Sequence, residues 1–264
     1  MREASNIILG GGGVIGSAIS SYLESEGESI ISVNSKNYHN CIGAKADVLI
    51  NCNGNAFRYR ANQNPRWDFE SSVITVEHSL FDFCARLYVY ISTVDVYNVL
   101  HDPMRNKEIS SIQPEQLDTY GFHKWLAERL VEKYAMRSVI LRVGTVLGDG
   151  MKKGPIYDLL NGKALHMSLG SELTFIDTNT IAKAIKAIIA TNPMHEIYNL
   201  TGTGFIRLHD IQGKIPFPIR LSHGAEGVIY NYNINNDKIN TIIKIPSTID
   251  IVENFIEGHF NLQL

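Results

Sequence analysis

The sequence predicts an α/β fold built on a doubly wound parallel sheet, and three observations predict it. Short, nearly continuous apolar runs alternate with longer helical patterns through the first half of the chain. A glycine-rich turn joins the first run to the first helical pattern. The chain, at 264 residues, is long enough for one large α/β domain or for one domain with a small lobe.

The expected strands are Asn6–Leu9, Ser29–Val33, Val48–Cys52, Leu87–Ser92 and Val139–Val143. Each reads as a strand covered on both faces, because it lacks the polar alternation of a half-exposed one. Helical patterns lie between them at Val14–Glu26, Phe69–Arg86 and Thr119–Met136. Such alternation implies parallel strands joined by right-handed crossovers. Asn34 to Asp47 leave room for a short helix or none. Beyond Gly144 the pattern loosens. A helix at Thr178–Ala190 precedes a strand at Ile197–Leu200; Gly- and Pro-bearing segments follow at Gly202–Gly204 and Ile215–Pro218, and a last helix runs from Thr248 to Gly258. The expected organisation is a sheet core over 1–145, continued by 175–200, with a small substrate lobe formed by 146–174 and 201–264.

Composition excludes several classes. Apolar residues make up 44%, charged residues 19%, and the net charge is −3. That balance gives no electrostatic reason to expect nucleic acid or an anionic membrane as partner. The first residues form no secretory apolar region, and no apolar run approaches the roughly 18 residues of a membrane span. Three cysteines without C-x-x-C spacing, and nine scattered histidines, suggest neither disulfides nor a metal site. A cytoplasmic protein is the expectation.

Glycines 10, 13 and 16 recur every third residue directly after a strand and at the start of a helix. Without side chains the turn can tighten, and the amides of Val14, Ile15 and Gly16 can approach a pyrophosphate at the helix N-terminus. Gly16 would let helix and sheet pack closely. A tight turn without ligand is the bland alternative. In this context the turn reads as the phosphate-binding element of a Rossmann-type fold. The second strand ends in Asn34, Ser35 and Lys36, with no carboxylate to accept from an adenosine ribose. These residues can donate to a 2′-phosphate, which favours NADP(H) over NAD(H); the alternative for Lys36 is a solvated turn residue.

Tyr120 and Lys124 are four residues apart at the start of a helical pattern, on one face and one turn apart. A tyrosine with a pKa near 10 exchanges protons poorly at neutral pH, and a shift of about three units requires roughly 4 kcal/mol. A neighbouring ammonium and an oxidised nicotinamide both favour phenolate. An exposed surface pair is the alternative. The fourth strand turns polar at Ser92 and Thr93, at the sheet end that faces the ligand crevice in doubly wound folds. A hydroxyl there can hold a substrate oxygen, although turn chemistry alone would account for both residues.

Together, Gly10/Gly13/Gly16, Ser92-Thr93 followed by Tyr97, Tyr120/Lys124 and Leu141-Arg142-Val143-Gly144 resemble the extended short-chain dehydrogenase/reductase family, in its sugar-nucleotide epimerase, dehydratase and reductase branch. The resemblance spans roughly 5–200 and is weaker beyond. It implies an NAD(P)-dependent oxidoreductase acting on a nucleotide-linked keto- or hydroxy-sugar, as in deoxysugar or polysaccharide synthesis. By it, Thr93 is the catalytic hydroxyl, Tyr120 the proton donor-acceptor and Lys124 its partner, while Asn51, Cys52 and Asn53 lie along the cofactor. Asp95 stands where some dehydratases carry an acid, but Val94 replaces the companion acid, which disfavours dehydration. Thr145 and Leu173 stand where the family commonly has an asparagine and an arginine for the sugar nucleotide. Arg207 and Arg220 could grip a diphosphate, or be solvated surface residues. A ketone reductase on a non-nucleotide substrate and a non-catalytic NAD(P)-binding redox sensor stay open as alternatives. A homodimer through the Phe69–Arg86 and Thr119–Met136 helices is the family's expectation.

Overall fold

The computed structural model describes residues 3–55, 57–215 and 218–261. β1 (Glu3–Leu9) enters the glycine turn and α1 (Val14–Ser25), followed by β2 (Ile30–Val33), α2 (Tyr38–Cys41) and β3 (Lys45–Asn51). The chain then forms α3 (Arg58–Gln63) and α4 (Pro65–Phe69). It passes through a π-turn over Glu70–Ile74 into α5 (Thr75–Asp82) and reaches β4 (Cys84–Thr93). After a long connection come α6 (Thr119–Tyr134) and β5 (Ser138–Val143). Among the described residues these strands, with a later β9 (His195–Leu200), form one six-stranded parallel sheet in the order β2-β1-β3-β4-β5-β9. The strand order reverses at β1, between β2 and β3. In such sheets a ligand crevice opens at the carboxyl ends beside that reversal.

Period-two alternation sends each strand's side chains to both faces. Ile8, Ile50, Val89 and Leu141 pack with Ile19 and Leu23 of α1 and with Ile181, Ile185 and Ile188 of α8 (Thr178–Ala190). Their neighbours Ile7, Leu49, Tyr90 and Ile140 pack on the other face with Val76 of α5 and Ala127 and Val131 of α6. A further apolar cluster lies in the C-terminal half. Leu147 of β6 (Thr145–Leu147), Ile156 and Leu159 of α7 (Pro155–Leu160) and Leu173 of β7 (Glu172–Leu173) join Phe175 of β8 (Phe175–Asp177). Ile206 of β10 (Ile206–Arg207) and Val252 of the last helix complete it. Side chains close the starts of α4, α6 and α8. Asn64 accepts from Trp67 at the start of α4, Asp118 from Gly121 at α6, and Asp177 from Thr180 at α8.

The short α2 bears out the brief second crossover, and α8 matches its expected bounds. Other bounds move for physical reasons. The expected helix Phe69–Arg86 begins at Pro65 and stops at Asp82, because Cys84 and Ala85 pair with Lys45 and Ala46 as strand. The short α9 (Asp237–Asn240) lies in a region with no periodic signal. The last helix, α10 (Thr248–Asn261), runs on through Gly258. Of the segment Ile215–Pro218, Pro216 and Phe217 lie outside the described residues, as do Met1 and Arg2 of the N-terminus. No helix among the described residues is long and apolar enough to cross a membrane.

Candidate active site

The turn after β1 is held tightly. Gly10, at φ +76°, and Gly11 both donate backbone N–H to the Val33 carbonyl, and Gly13 donates to Gly10 at 2.9 Å. A Cβ on Gly16 would collide with the Gly10 carbonyl, so only glycine lets α1 start this close to its own turn. Gly12 faces open space, with no heavy atom within 4 Å of an added Cβ. Gly13 caps α1 without a side chain, and the first turn carries no acid. The leading amides of α1, including those of Val14, Ile15 and Gly16, are therefore not competed for by a capping oxygen. This cradle fits an anionic diphosphate.

Asn34, Ser35 and Lys36 lie exposed at the end of β2, beside that turn. The Asn34 side chain accepts from the Lys36 amide, and Asn37 accepts from the Asn34 amide while donating to the Ser32 carbonyl. The loop is ordered by its own amides. Across the reversal, Asn51 is fully buried and donates to Tyr88 (2.6 Å) and Ser79 (3.2 Å) while accepting from the Asn53 amide. Its side chain shapes the turn and does not itself face the crevice. Burial pushes the Cys52 thiol up to about 12, so it is a neutral wall. Asn53 Oδ1 lies 2.9 Å from where a Gly10 Cβ would sit, which brings the two turns together.

Tyr120, Lys124 and Glu128 form a stripe along α6 at four-residue spacing, and this stripe faces the carboxyl end of β4. Lys124 is buried. Its Nζ donates to the Ile91 carbonyl (2.9 Å) and the Tyr90 hydroxyl (3.2 Å), and lies 3.3 Å from where a Gly54 Cβ would sit. Burial pulls its pKa down to about 8 against the pull of Glu128, Asp68 and Cys52. Tyr120 is half-buried at the crevice. Loss of bulk water, then the Asp95 carboxylate, raise its pKa, while a hydrogen bond to Thr93 and the charge of Arg58 act the other way. The sequence expectation of a phenol eased toward phenolate concerns the protein with an oxidised nicotinamide bound. In the protein by itself, desolvation and the nearby carboxylates outweigh Arg58 and the Thr93 hydrogen bond, and the pKa of the phenol is raised.

Thr93, the last residue of β4, accepts from the Asp95 amide and donates to the Asp95 carboxylate at 3.3 Å. Asp95 also accepts from the Tyr232 hydroxyl (2.7 Å) and from Arg58 Nη1 (3.2 Å). Arg58 Nε reaches Asp118, the cap of α6, at 2.5 Å. Sequence reasoning missed Arg58, Asp118 and Tyr232. Asp118 had a signal, as an acid three residues before a helical Gly121. Arg58 had a faint one, as a cation after a sheet-end turn. Tyr232 had none, since an irregular segment delivers it.

Two further buried groups went unread. Asp68, wholly buried, meets His123 Nδ1 at 2.7 Å and accepts from Asn55 (2.9 Å) and Ser72 (3.2 Å), tying the β3 turn to α4 and α6. Beneath Thr93, Ser92 donates to Glu128, and Arg142 bridges Glu128 and Tyr97. The remaining expected substrate residues have partners or positions elsewhere. Arg207 pairs with Glu172 at 2.5 Å, Arg220 donates to the Gly162 carbonyl at 2.7 Å, Thr145 is exposed on β6, and Leu173 is buried in the C-terminal cluster.

A parallel sheet with its glycine turn at the strand reversal and a Tyr–Lys helix edge beside it defines a dinucleotide-fold α/β protein. The chain belongs to the NAD dependent epimerase/dehydratase family, whose sequence pattern matches residues 6–201. It is similar in structure to MoeE5 solved in complex with UDP-glucose and NAD, at 15% identity and TM-score 0.83, with 98% of this chain and 100% of that chain covered. It is similar to UDP-galactose 4-epimerase at 20% identity and TM-score 0.77, with 100% of both chains covered. A third is dTDP-4-dehydrorhamnose reductase from Bacillus anthracis in complex with NADP, at 15% identity and TM-score 0.76, covering 98% of this chain and 99% of that one. No curated protein matches in sequence.

Proposed function

We propose that this protein is an NAD(P)-dependent oxidoreductase of the epimerase/dehydratase type, a keto-sugar reductase or epimerase acting on a nucleotide-linked sugar in deoxysugar or polysaccharide synthesis. The observation that carries this reading is the meeting of Thr93, Asp95 and Tyr120 at one strand end, with Lys124 buried one helical turn on. The cofactor would be held by the Gly10–Gly16 cradle and the amides of Val14, Ile15 and Gly16. The β3 turn around Cys52 and Asn53, and Lys124, would flank it. Asn34, Ser35 and Lys36 carry no competing carboxylate, which supports NADP(H) over NAD(H).

A bound nicotinamide would supply hydride chemistry at the substrate carbon. The chain's own residues handle the oxygen. Thr93 and Tyr120 polarise it, and Tyr120 exchanges the proton. Lys124, brought to about 8 by burial, sits close enough to neutral pH to exchange a proton in turn.

Mass spectrometry of the purified protein under native conditions tests the reading. A retained or added dinucleotide is the expected result, and failure of both NADP(H) and NAD(H) to bind overturns it. A second reading, a ketone reductase on a non-nucleotide substrate, draws support from Leu173 being buried and from the partners that occupy Arg207 and Arg220. Thermal shift with uridine, thymidine, cytidine and guanosine diphosphosugars separates the two, because a ligand raises the melting point by mass action.

A sheet core over 1–145 and 175–200 with a lobe from 146–174 and 201–264 fits the separate C-terminal cluster. The exposed Phe81 and Tyr134 side chains, in edge contact across α5 and α6, support a homodimer through these helices. The composition supports a cytoplasmic location.

A further inference from the structure

Asp95 carries more than its place in the turn requires. Its carboxylate, in a side chain only 14% exposed, receives three donors: Thr93, Tyr232 and Arg58. Tyr232 and Arg58 are themselves joined at 2.9 Å, and Arg58 reaches on to Asp118 at the head of the Tyr120 helix. That helix presses on the Asp95 backbone, since a Cβ on Gly121 would collide with the Asp95 carbonyl. One acid is thus bonded to Thr93 and packed against the head of the Tyr120 helix, and Arg58 and Tyr232 brace it from distant parts of the chain.

We propose that Asp95 is a positioning residue that keeps Tyr120 in its proton-donating form, with Arg58 as the counterion that moderates it. This rests on the reading of Tyr120 as the proton donor-acceptor. Two effects act together. A hydroxyl has a single proton, and that of Thr93 is given to Asp95. While it stays there it does not stabilise a phenolate at Tyr120; turned to Tyr120, the same hydroxyl favours one. A phenolate would also stand near a second anion in a crevice that screens charge poorly, and like charges disfavour ionisation.

The other groups that bear on Tyr120 are Asp68 of α4, which opposes phenolate, Arg58, which favours it, and Tyr90 of β4. Lys124 lies one turn along its own helix. Asp95 is the strongest of the charged groups acting on Tyr120. Burial raises Asp95's own pKa and Asp118 adds to that rise, while the charge of Arg58 and the hydrogen bonds from Tyr232 and Thr93 act against it. A phenol held this way is present in the proton-bearing form that reduction of a carbonyl consumes, whereas oxidation of a carbinol needs the scarce phenolate. The site is set for the reductive sense.

The test is a titration of protein labelled with 13Cζ-tyrosine in its NADP+ complex, with the Tyr120 signal assigned from Tyr120→Phe. Asp95→Asn should lower the Tyr120 midpoint by about one pH unit or more. Arg58→Gln should move it up, or out of the range in which the fold survives. Opposite displacements are the signature of charge, and a purely structural role would move both variants alike. An unchanged or higher midpoint in Asp95→Asn, displacements of one sign, or a phenol that titrates in neither protein overturns the inference. Should neither NADP+ nor NAD+ bind, the oxidoreductase reading falls, while the same titration on the protein alone still tests Asp95.

Discussion

Arg142 grips Glu128 with two parallel hydrogen bonds, Nε to Oε1 at 3.1 Å and Nη2 to Oε2 at 2.7 Å, and both side chains are sealed from water. The pair lies directly under the carboxyl end of β4, where Ser92 also donates to Glu128 at 2.6 Å. Cutting such a pair on one side leaves an uncompensated buried charge, which costs about 3–5 kcal/mol. Glu128→Ala should lose stability of that order in chemical denaturation, and Ser92→Ala clearly less. A Glu128→Ala protein as stable as the parent would show that the pair is not what holds this strand end.

Lys124 gives a pH-dependent expectation. Its folded pKa, about 8, lies below the ordinary 10.5, so the unfolded chain binds more protons between these values and stability rises with pH across them. Below about 8 the buried ammonium exacts its full cost, on the order of 3 kcal/mol as an upper bound. Lys124→Met should therefore be more stable than the parent at pH 7 while losing turnover. The gap should close as pH rises toward 10.5, which denaturation at several pH values measures.

Tyr120→Phe should lower turnover by on the order of 10²–10⁴-fold while leaving dinucleotide affinity within a small factor. Steady-state kinetics beside a binding titration checks both halves. Turnover equal to the parent's would remove Tyr120 from the chemistry.

Gly16→Val should abolish or severely weaken dinucleotide binding, because its side chain must displace the Gly10 backbone, not a flexible neighbour. Fluorescence titration with NADPH reads the loss. Gly27→Ala is a control for glycine replacement outside the cradle: Gly27 has a φ of +83°, so this change should cost some stability but leave the binding constant alone.

Asp118→Ala removes the cap of α6 and one partner of Arg58. A cap is worth about 1 kcal/mol, so the melting point should fall by a few degrees. Asp118→Asn keeps a capping oxygen and should recover most of that loss.

Much of the fold was legible because buried parallel strands leave an apolar run that nothing polar interrupts, as in Leu87–Ser92 and Val139–Val143. Tyr120, Lys124 and Thr93 were legible because helical spacing and strand polarity are local properties. The two-residue strands Glu172–Leu173 and Ile206–Arg207 were not, since so short a strand is defined by its partner. The same holds for the surroundings of Tyr120. Arg58 and Tyr232 meet Asp95 across separations of 37 and 137 residues, and no local pattern encodes such a meeting. What acts on the phenol in the protein by itself was illegible for that reason: the cation one turn away is written in the sequence, whereas the dry crevice and the Asp95 carboxylate are products of folding.

Asn199 has a wider consequence. Sitting in β9, it accepts from Tyr97 and donates to the carbonyls of Asn106 and Asn235, while its amide donates to Glu108. Peeling the C-terminal segment away would strand these groups in a dry interior and expose the arginine behind Tyr97. Heat should therefore melt sheet and C-terminal cluster in a single calorimetric peak, and removing this one amide side chain should split it in two.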